Sequence, residues 1–273
     1  MPQTLVAINA HPDDEALLSG GTLAQAAQAG HRVVLVTLTD GDAGPAAAEY
    51  RAGGLGQQRL RELQASAKAL GAARVEFAGY SDSGMSPETE PAPAGRVRLV
   101  QAELPHIVDQ VCALLADETP NLVLGYDAAG GYGHRDHVVV HHVARAVAER
   151  LSTRLLEVTA PREPLHRALR ALGVVRRFDN GFNPDEWADK FTPSADITHR
   201  IKLGRGAAMQ AKRAAIQAHS SQASADASAP DRTMATLLRL PRPAFSALLG
   251  REYFHEPAGA PVAEPLEDIW MVA

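Results

Sequence analysis

The chain has 273 residues, a net charge of −5 and 45% hydrophobic residues, enough for one large domain with a substantial core. No run of like charge marks a nucleic-acid or anionic-membrane partner, and no apolar run approaches the roughly 18 residues of a membrane span. The single cysteine, Cys112, excludes an intrachain disulfide framework and reads as a buried, inert thiol in a reducing cytoplasm. The start, Met1-Pro2-Gln3-Thr4, carries no signal-peptide pattern.

The first elements alternate strand and helix. The apolar run Thr4–Asn9 reads as a buried strand. Glu15–Gly30 follows with Leu17, Leu18, Leu23, Ala24 and Ala27 at helical spacing and Gly30 as a stop. His31–Thr39 is β-branched and almost unbroken, as a strand covered on both faces should be. Such a βαβ succession implies a right-handed crossover and a parallel sheet. Asp40–Gly44 then leaves as a loop, Ala52–Gly56 is a flexible glycine-rich stretch, and Gln57–Leu70 is a helix. Arg74–Phe77 reads as a short strand, Gly79–Met85 and Pro87–Gly95 as loops, and Ala102–Asp117 as a helix with Pro105 in its first turn. Asn121–Tyr126 is the next strand, Asp127–Gly133 a glycine-rich segment, His134–Leu151 a helix and Arg154–Val158 a strand.

The remainder carries weaker signals. Leu165–Leu172 reads as a helix, and Phe178–Lys190 as irregular chain with turns at Asn180-Gly181 and Asn183-Pro184. Ala195–Ile197 reads as a strand, His199–Ala218 as a helix and Ser220–Asp231 as a loop. Thr233–Gly250 reads as two short helices parted at Pro241 and Pro243, Tyr253-Phe254 as an edge strand and Pro257–Pro265 as a tail. The expected architecture is α/β: a Rossmann-like, mostly parallel sheet with helices on both faces. Residues 1–160 form the catalytic core, and residues 161–273 a smaller C-terminal extension packed on it and helping to shape the substrate pocket.

Two motifs carry chemistry. His11-Pro12-Asp13-Asp14-Glu15 follows the first strand, so an imidazole and two carboxylates stand at the carboxyl end of the sheet, where open α/β folds keep their sites. Adjacent carboxylates repel, and a divalent cation would reconcile them by taking one as a ligand and leaving the other as a base. Capping of the following helix is the plainer explanation, and the two can coexist. Gly130-Gly131-Tyr132-Gly133-His134-Arg135-Asp136-His137 follows the strand ending at Tyr126, on the same rim. His134 and His137 share a helix face. A catalytic zinc site commonly takes three protein ligands and leaves one position open. His11, one aspartate and one of these histidines fill that pattern, and the other histidine is left for substrate, its ring held by Asp136. The spacing of His137 and His141 also suits a metal, while His142 reads as an ordinary surface or core residue.

Together these motifs resemble the LmbE-like, or PIG-L-type, zinc-dependent de-N-acetylases. Gly-Gly-Tyr-Gly-His and Asp82-Ser83-Gly84-Met85 look most like the mycothiol-pathway members, which act on N-acetylglucosaminyl-inositol or on mycothiol S-conjugates. The resemblance covers roughly residues 4–160, with Ala218-His219-Ser220-Ser221-Gln222 as a further similar motif. It implies His11, Asp14 and His137 as metal ligands and Asp13 as general base. His134, steadied by Asp136, becomes the acid or electrophile, and Tyr132 a mobile aromatic at the amide oxygen. Asp42, Arg59 and Asp82 match positions that hold sugar hydroxyls. Arg135 stands where the family usually has proline, and Asp42-Ala43 is less acidic than in the sugar deacetylases.

The implied activity is zinc-dependent removal of an N-acetyl group from an N-acetylglucosamine-type sugar or glycoconjugate; a His₂Asp site also accepts iron or cobalt. The alternatives are an amidase for a thiol S-conjugate or another N-acyl small molecule and, in a different class, a non-catalytic or nucleotide-binding protein of the same fold. Nucleotide binding fits poorly, because the first loop lacks Gly-x-Gly-x-x-Gly and puts carboxylates where a pyrophosphate would sit. The expected partner is a small N-acetylated sugar, not nucleic acid or membrane. The apolar tail Ile269–Val272 is compatible with a homo-oligomer.

Overall fold

A computed structural model describes residues 1–44, 54–86, 88–176, 186, 188–223 and 233–273. β1 (Thr4–Asn9), β2 (Arg32–Thr39), β3 (Arg74–Tyr80), β4 (Leu122–Tyr126) and β5 (Arg154–Thr159) pair in parallel; β7 (Arg251–His255) runs antiparallel to both β5 and β6 (His199–Lys202). The strand order is β3-β2-β1-β4-β5-β7-β6. The chain steps one way from β1 to β2 and the other way to β4. The crevice beyond the carboxyl ends of β1 and β4 is therefore the topological switch point, where open sheets bind ligands.

Period-two alternation sorts the side chains into two cores. Leu5, Ala7, Val33 and Leu35 pack with α2 (Gly20–Gln28), α3 (Leu55–Leu70) and α8 (Ala207–Ala218), through Leu23, Leu63, Leu70 and Ile216. Val6, Ile8, Val34 and Val36 pack on the other face with α4 (Leu104–Leu114) and α6 (Arg135–Arg150), through Ile107, Val111, Val140 and Val147. The expected α/β sheet with a helical layer on each face is thus present.

Several boundaries differ from the sequence reading. The helix expected over Glu15–Gly30 is two, α1 (Asp14–Leu18) and α2, broken at Ser19. At the break, the N–H groups of Gly21 and Thr22 donate to the Glu252 carboxylate at 2.8 and 2.7 Å, so an acidic side chain of β7 occupies a helix start. A Cβ at Gly21 would fall 2.0 Å from Leu203 Cδ1, which is why only glycine fits there.

Ala195–Ile197 is no strand: Ser194–Asp196 is a 3-10 turn, and the strand is β6, inside the stretch expected to begin a helix. β6 alternates buried His199 and Ile201 with less buried Arg200 and Lys202, a strand period hidden by its polar residues. β7 is interior, between β5 and β6, not an edge strand.

α5 (Gly130–Gly133) is a short turn ahead of α6, and α7 (Arg162–Arg176) starts earlier and ends later than expected. The two expected C-terminal helices are α10 (Thr233–Arg239) and α11 (Arg242–Leu249), with a four-residue α9 (Ser220–Ala223) before them. The turn signals at Asn180-Gly181 and Asn183-Pro184, and most of the loops expected over Ser220–Asp231 and Ala52–Gly56, lie outside the described residues or at their margin. Cys112 is half-buried, not fully buried. Ile269 packs into the core, Trp270 stacks at 4.5 Å on His31, and Met271 and Val272 are exposed. Among the described residues no helix is long and apolar enough to cross a membrane.

The Glu252 carboxylate that takes the Gly21 and Thr22 N–H groups is in turn held by a charge from its own C-terminal segment. Lys212 of α8 lies 2.6 Å from the Glu252 carboxylate, with each side chain at most 2% exposed. Removing one partner of a buried pair leaves the other unpaired in a low dielectric, so Lys212→Ala should destabilise the fold by about 3–5 kcal/mol in urea unfolding.

Candidate active site

β1 ends by delivering Ala10 and His11 to the rim. The Ala10 carbonyl accepts from the main chain and hydroxyl of Thr39 on β2, and its N–H donates to Tyr126 Oη on β4, so both neighbouring strands fix where His11 emerges. The chain then turns sharply, and Asp13 holds φ +120, a backbone region that costs a non-glycine residue on the order of 1–3 kcal/mol. Asp13 stands at the start of α1, yet its carboxylate makes no capping bond. Its Oδ2 instead takes a 3.0 Å bond from Arg59. Capping therefore does not account for the paired aspartates.

Three donor atoms converge beside it. His11 Nδ1 is 3.4 Å from Asp14 Oδ2, His137 Nε2 is 3.4 Å from the same oxygen, and the two ring nitrogens are 3.3 Å apart. A tetrahedral cation with bonds of roughly 2.0–2.1 Å needs donors about 3.3–3.4 Å apart. The other face of each ring explains its readiness. His137 Nδ1 is 3.1 Å from the Gly130 carbonyl, and His11 Nε2 is 3.2 Å from Asp136 Oδ2. In the neutral rings, protons on those atoms would leave His137 Nε2 and His11 Nδ1 as acceptors facing Asp14. These residues fit a divalent cation. Two other sets, His11 with His134 and His137, and His11 with Asp82 and Asp136, also cluster within 4.8 Å. In the second of these the carboxylates face the nitrogen of His11 that points away from Asp14, so they orient the ring.

His134 is the N-cap of α6, and its Nδ1 accepts the Asp136 main-chain N–H at 3.1 Å. The proton of the neutral ring must then lie on Nε2. Burial, then the neighbouring His11 and His137, push its pKa down to about 4, which keeps it a neutral donor. Burial lifts Asp13 to about 6 against the pull of Arg59, with Asp14 adding to the rise, which moves it toward the range of a general base. Tyr132 lies over His137 with ring centroids 5.0 Å apart, on a turn where Gly130, Gly131 and Gly133 all have positive φ.

The structure brings all the sequence-singled residues to this rim but redistributes some of their contacts. The Asp136 carboxylate was expected to hold His134. It instead binds His11 and the Ser83 N–H (2.9 Å), and only its main chain steadies His134, because α6 starts between them. Arg59 is buried, donating to Asp13, to the Pro12 carbonyl (2.6 Å) and to the Gly41 carbonyl (2.9 Å). Asp42 pairs with Arg98 at 2.9 Å and accepts the Asp82 N–H at 2.8 Å. Asp82 accepts the Gly84 N–H at 2.8 Å and lies 3.4 Å from His11. Arg135 turns away from the centre, donating to the Ser86 carbonyl (2.7 Å) and Thr89 Oγ1 (2.8 Å). His141 faces the Tyr126 carbonyl and Glu157, and His142 is exposed, so neither joins the centre.

Sequence reasoning did not single out Tyr126, whose ring stacks on His137 at 4.3 Å, or Lys190, whose ammonium reaches the Tyr132 carbonyl at 3.1 Å. It also passed over Glu15, although Glu15 belongs to the first motif. A cavity of about 410 Å³ between α8 and α11, lined by Arg205, Arg213 and Phe245 among others, shares none of these residues.

Gly130 has φ +63, and a Cβ there would lie 2.6 Å from His137 Cβ. Gly130→Ala should therefore displace that ring and weaken divalent-cation affinity about 10–100-fold in titration calorimetry, the usual cost of disturbing a ligand's support.

Comparison with known proteins gives this geometry a family. Residues 6–148 match the family model described as PIG-L, GlcNAc-PI de-N-acetylase. A 1D-myo-inositol 2-acetamido-2-deoxy-alpha-D-glucopyranoside deacetylase of Saccharomonospora viridis is 37% identical over 229 residues, 79% of this chain and 83% of that protein. The enzyme of the same name from Nakamurella multipartita is 35% identical and covers 100% of this chain and 94% of its own. Among solved structures, a deacetylase of the teicoplanin biosynthesis pathway superposes with a TM-score of 0.58 at 18% identity, covering 93% of this chain and 97% of its own; this likeness is one of fold. The chain belongs to the PIG-L family of de-N-acetylases.

Proposed function

We propose that the protein is a metal-dependent amide hydrolase that removes the acetyl group from an N-acetylglucosamine-type sugar, with N-acetylglucosaminyl-inositol as the first substrate to test. The observation that carries this reading is the convergence of His11 Nδ1, Asp14 Oδ2 and His137 Nε2, with the Arg59-held carboxylate of Asp13 and the imidazole of His134 beside them. Sequence similarity to the two inositol-sugar deacetylases supports the substrate class. Zinc suits two imidazoles and one carboxylate at these separations.

A cation held by His11, Asp14 and His137 would polarise water and the amide oxygen. The chain's own groups would then act in sequence. Asp13 takes the proton of the attacking water, its pKa of about 6 leaving most of it ionised near neutrality. As the carbonyl carbon becomes tetrahedral, His134 donates from Nε2 to the developing oxyanion, and Tyr132 adds a second donor from its turn. Asp13 then returns its proton to the nitrogen, the C–N bond breaks, and acetate and free amine leave. Residues beyond 160 reach this site through Lys190 at Tyr132 and His219 at Glu15, which supports a pocket-shaping role for the C-terminal extension.

The test is acetate release from N-acetylglucosamine, N-acetylglucosaminyl-inositol and a mycothiol S-conjugate, with metal content measured alongside. Chelation should abolish release and zinc restore it. Protein that carries its metal and releases acetate from none of the three would overturn the assignment. Asp13→Asn should keep the metal and lose most of kcat, whereas Asp14→Asn should lose the metal itself. His134→Ala should cost on the order of 10²–10³ in kcat, as loss of one oxyanion donor does elsewhere.

A further inference from the structure

Glu15 follows the two aspartates, is fully buried, and touches neither of the reacting groups assigned above. Its Oε1 accepts from Ser66 Oγ at 2.5 Å and from His219 Nε2 at 2.7 Å, while Oε2 accepts the main-chain N–H of Asp13 at 3.0 Å. That N–H belongs to the residue at φ +120; among the described residues, Ser152 is the one other non-glycine at positive φ. The bond therefore grips the backbone where the chain is least at ease.

The grip is itself anchored. Arg59, Glu62 and Ser66 lie on one face of α3, three and four residues apart, and all are buried. Arg59 takes the Asp13 carboxylate and the Pro12 carbonyl, and Ser66 takes Glu15. Glu62 accepts from Ser220 Oγ at 2.8 Å and from the N–H and Oγ of Ser221 at 2.8 and 2.7 Å, which pins the end of α8 to α3 and sets His219 against Glu15. Two elements distant in sequence thus fix one carboxylate from opposite sides.

We propose that Glu15, locked by Ser66 and His219, is a positioning residue that holds Asp13 in its left-handed backbone conformation and turns its carboxylate out of the helix cap toward the site. The inference rests on the reading of Asp13 as the general base, but its structural half stands apart from any activity. The backbone of Asp13 alone would relax to negative φ and let its side chain cap α1, the role an aspartate at that position ordinarily takes.

The test compares crystal structures and kinetics of wild type, Glu15→Ala, Glu15→Gln and His219→Ala. In Glu15→Ala, φ of Asp13 should move to negative values, and kcat should fall about 10–100-fold with KM and bound metal unchanged, as when a supporting carboxylate is lost. Glu15→Gln should restore most of the lost kcat, because its amide oxygen still accepts the Asp13 N–H. A residue that merely filled space would lose stability in Glu15→Ala with Asp13 still near φ +120 and no kcat-specific effect. Should Glu15→Ala fail to fold, His219→Ala, which leaves Glu15 in place but unlocked, should show the same displacement in smaller measure. Asp13 remaining near +120 with unchanged kcat in either variant would overturn the proposal. Wild-type protein that carries metal but hydrolyses no amide would overturn the reading of Asp13, and the φ comparison would still decide the role of Glu15.

Discussion

Burying negative charge at the carboxyl ends of parallel strands is the constraint on which this structure depends. Asp14, Glu15, Asp82 and Asp136 are each no more than 5% exposed, within one rim of a chain that is acidic overall. Carboxylates in such a place must find cations, hydrogen-bond donors or protons. Glu15 has a histidine, a hydroxyl and an amide; Asp136 has His11 and an amide; Asp13 has Arg59. Asp14 differs from them. It accepts the His11 main-chain N–H, has the Tyr126 hydroxyl beside it, and faces one ring nitrogen each of His11 and His137 at 3.4 Å. A divalent cation would complete that arrangement.

The topology explains why the parts meet. The switch between β1 and β4 puts the residues after Asn9 and after Tyr126 on opposite lips of one crevice. The strand ends of β2 and β3 supply the loops of Asp42 and Asp82, which tie to each other through the Asp82 N–H and Arg98. Residues beyond 160 are joined to this frame by the pairing of β7 with β5 and by the Glu252 carboxylate on the Gly21 and Thr22 N–H groups, so His219 arrives beneath the first motif as part of the same packed body. Arg135 belongs to this bracing too: it leaves α6 for Ser86 and Thr89 and so steadies the loop that carries Asp82. A positive charge read from sequence as lying beside the site is directed to the loop instead.

Legibility in the sequence followed burial. β1, β2 and β4 are continuous apolar runs, and their strand ends could be placed with the motifs they carry. β6 and β7 were obscured because Arg200, Lys202, Arg251 and Glu252 interrupt the apolar signal, and Glu252 is buried for reasons of pairing that no local pattern reveals. The site residues were legible as a set because two histidine–aspartate motifs follow two strands. Their contacts were not. Which donor the Asp136 carboxylate meets is decided by a residue 125 positions away. Arg59, which the resemblance matches to a sugar-holding position, also meets Asp13 from its depth in α3, a contact no local pattern reveals.

Asp136 ties His11 and His134 to each other. Its main-chain N–H sets the tautomer of His134, and its carboxylate sets the tautomer of His11. One residue at the start of α6 thus decides both that His11 turns a lone pair toward Asp14 and that His134 turns a proton outward. Its position is fixed in turn by the Ser83 N–H from the loop after β3. Loss of register in that loop would therefore reach His11 and His134 together. Arg135 and Arg98 brace the loop on both sides, and through it they share in aligning two imidazoles that neither of them touches.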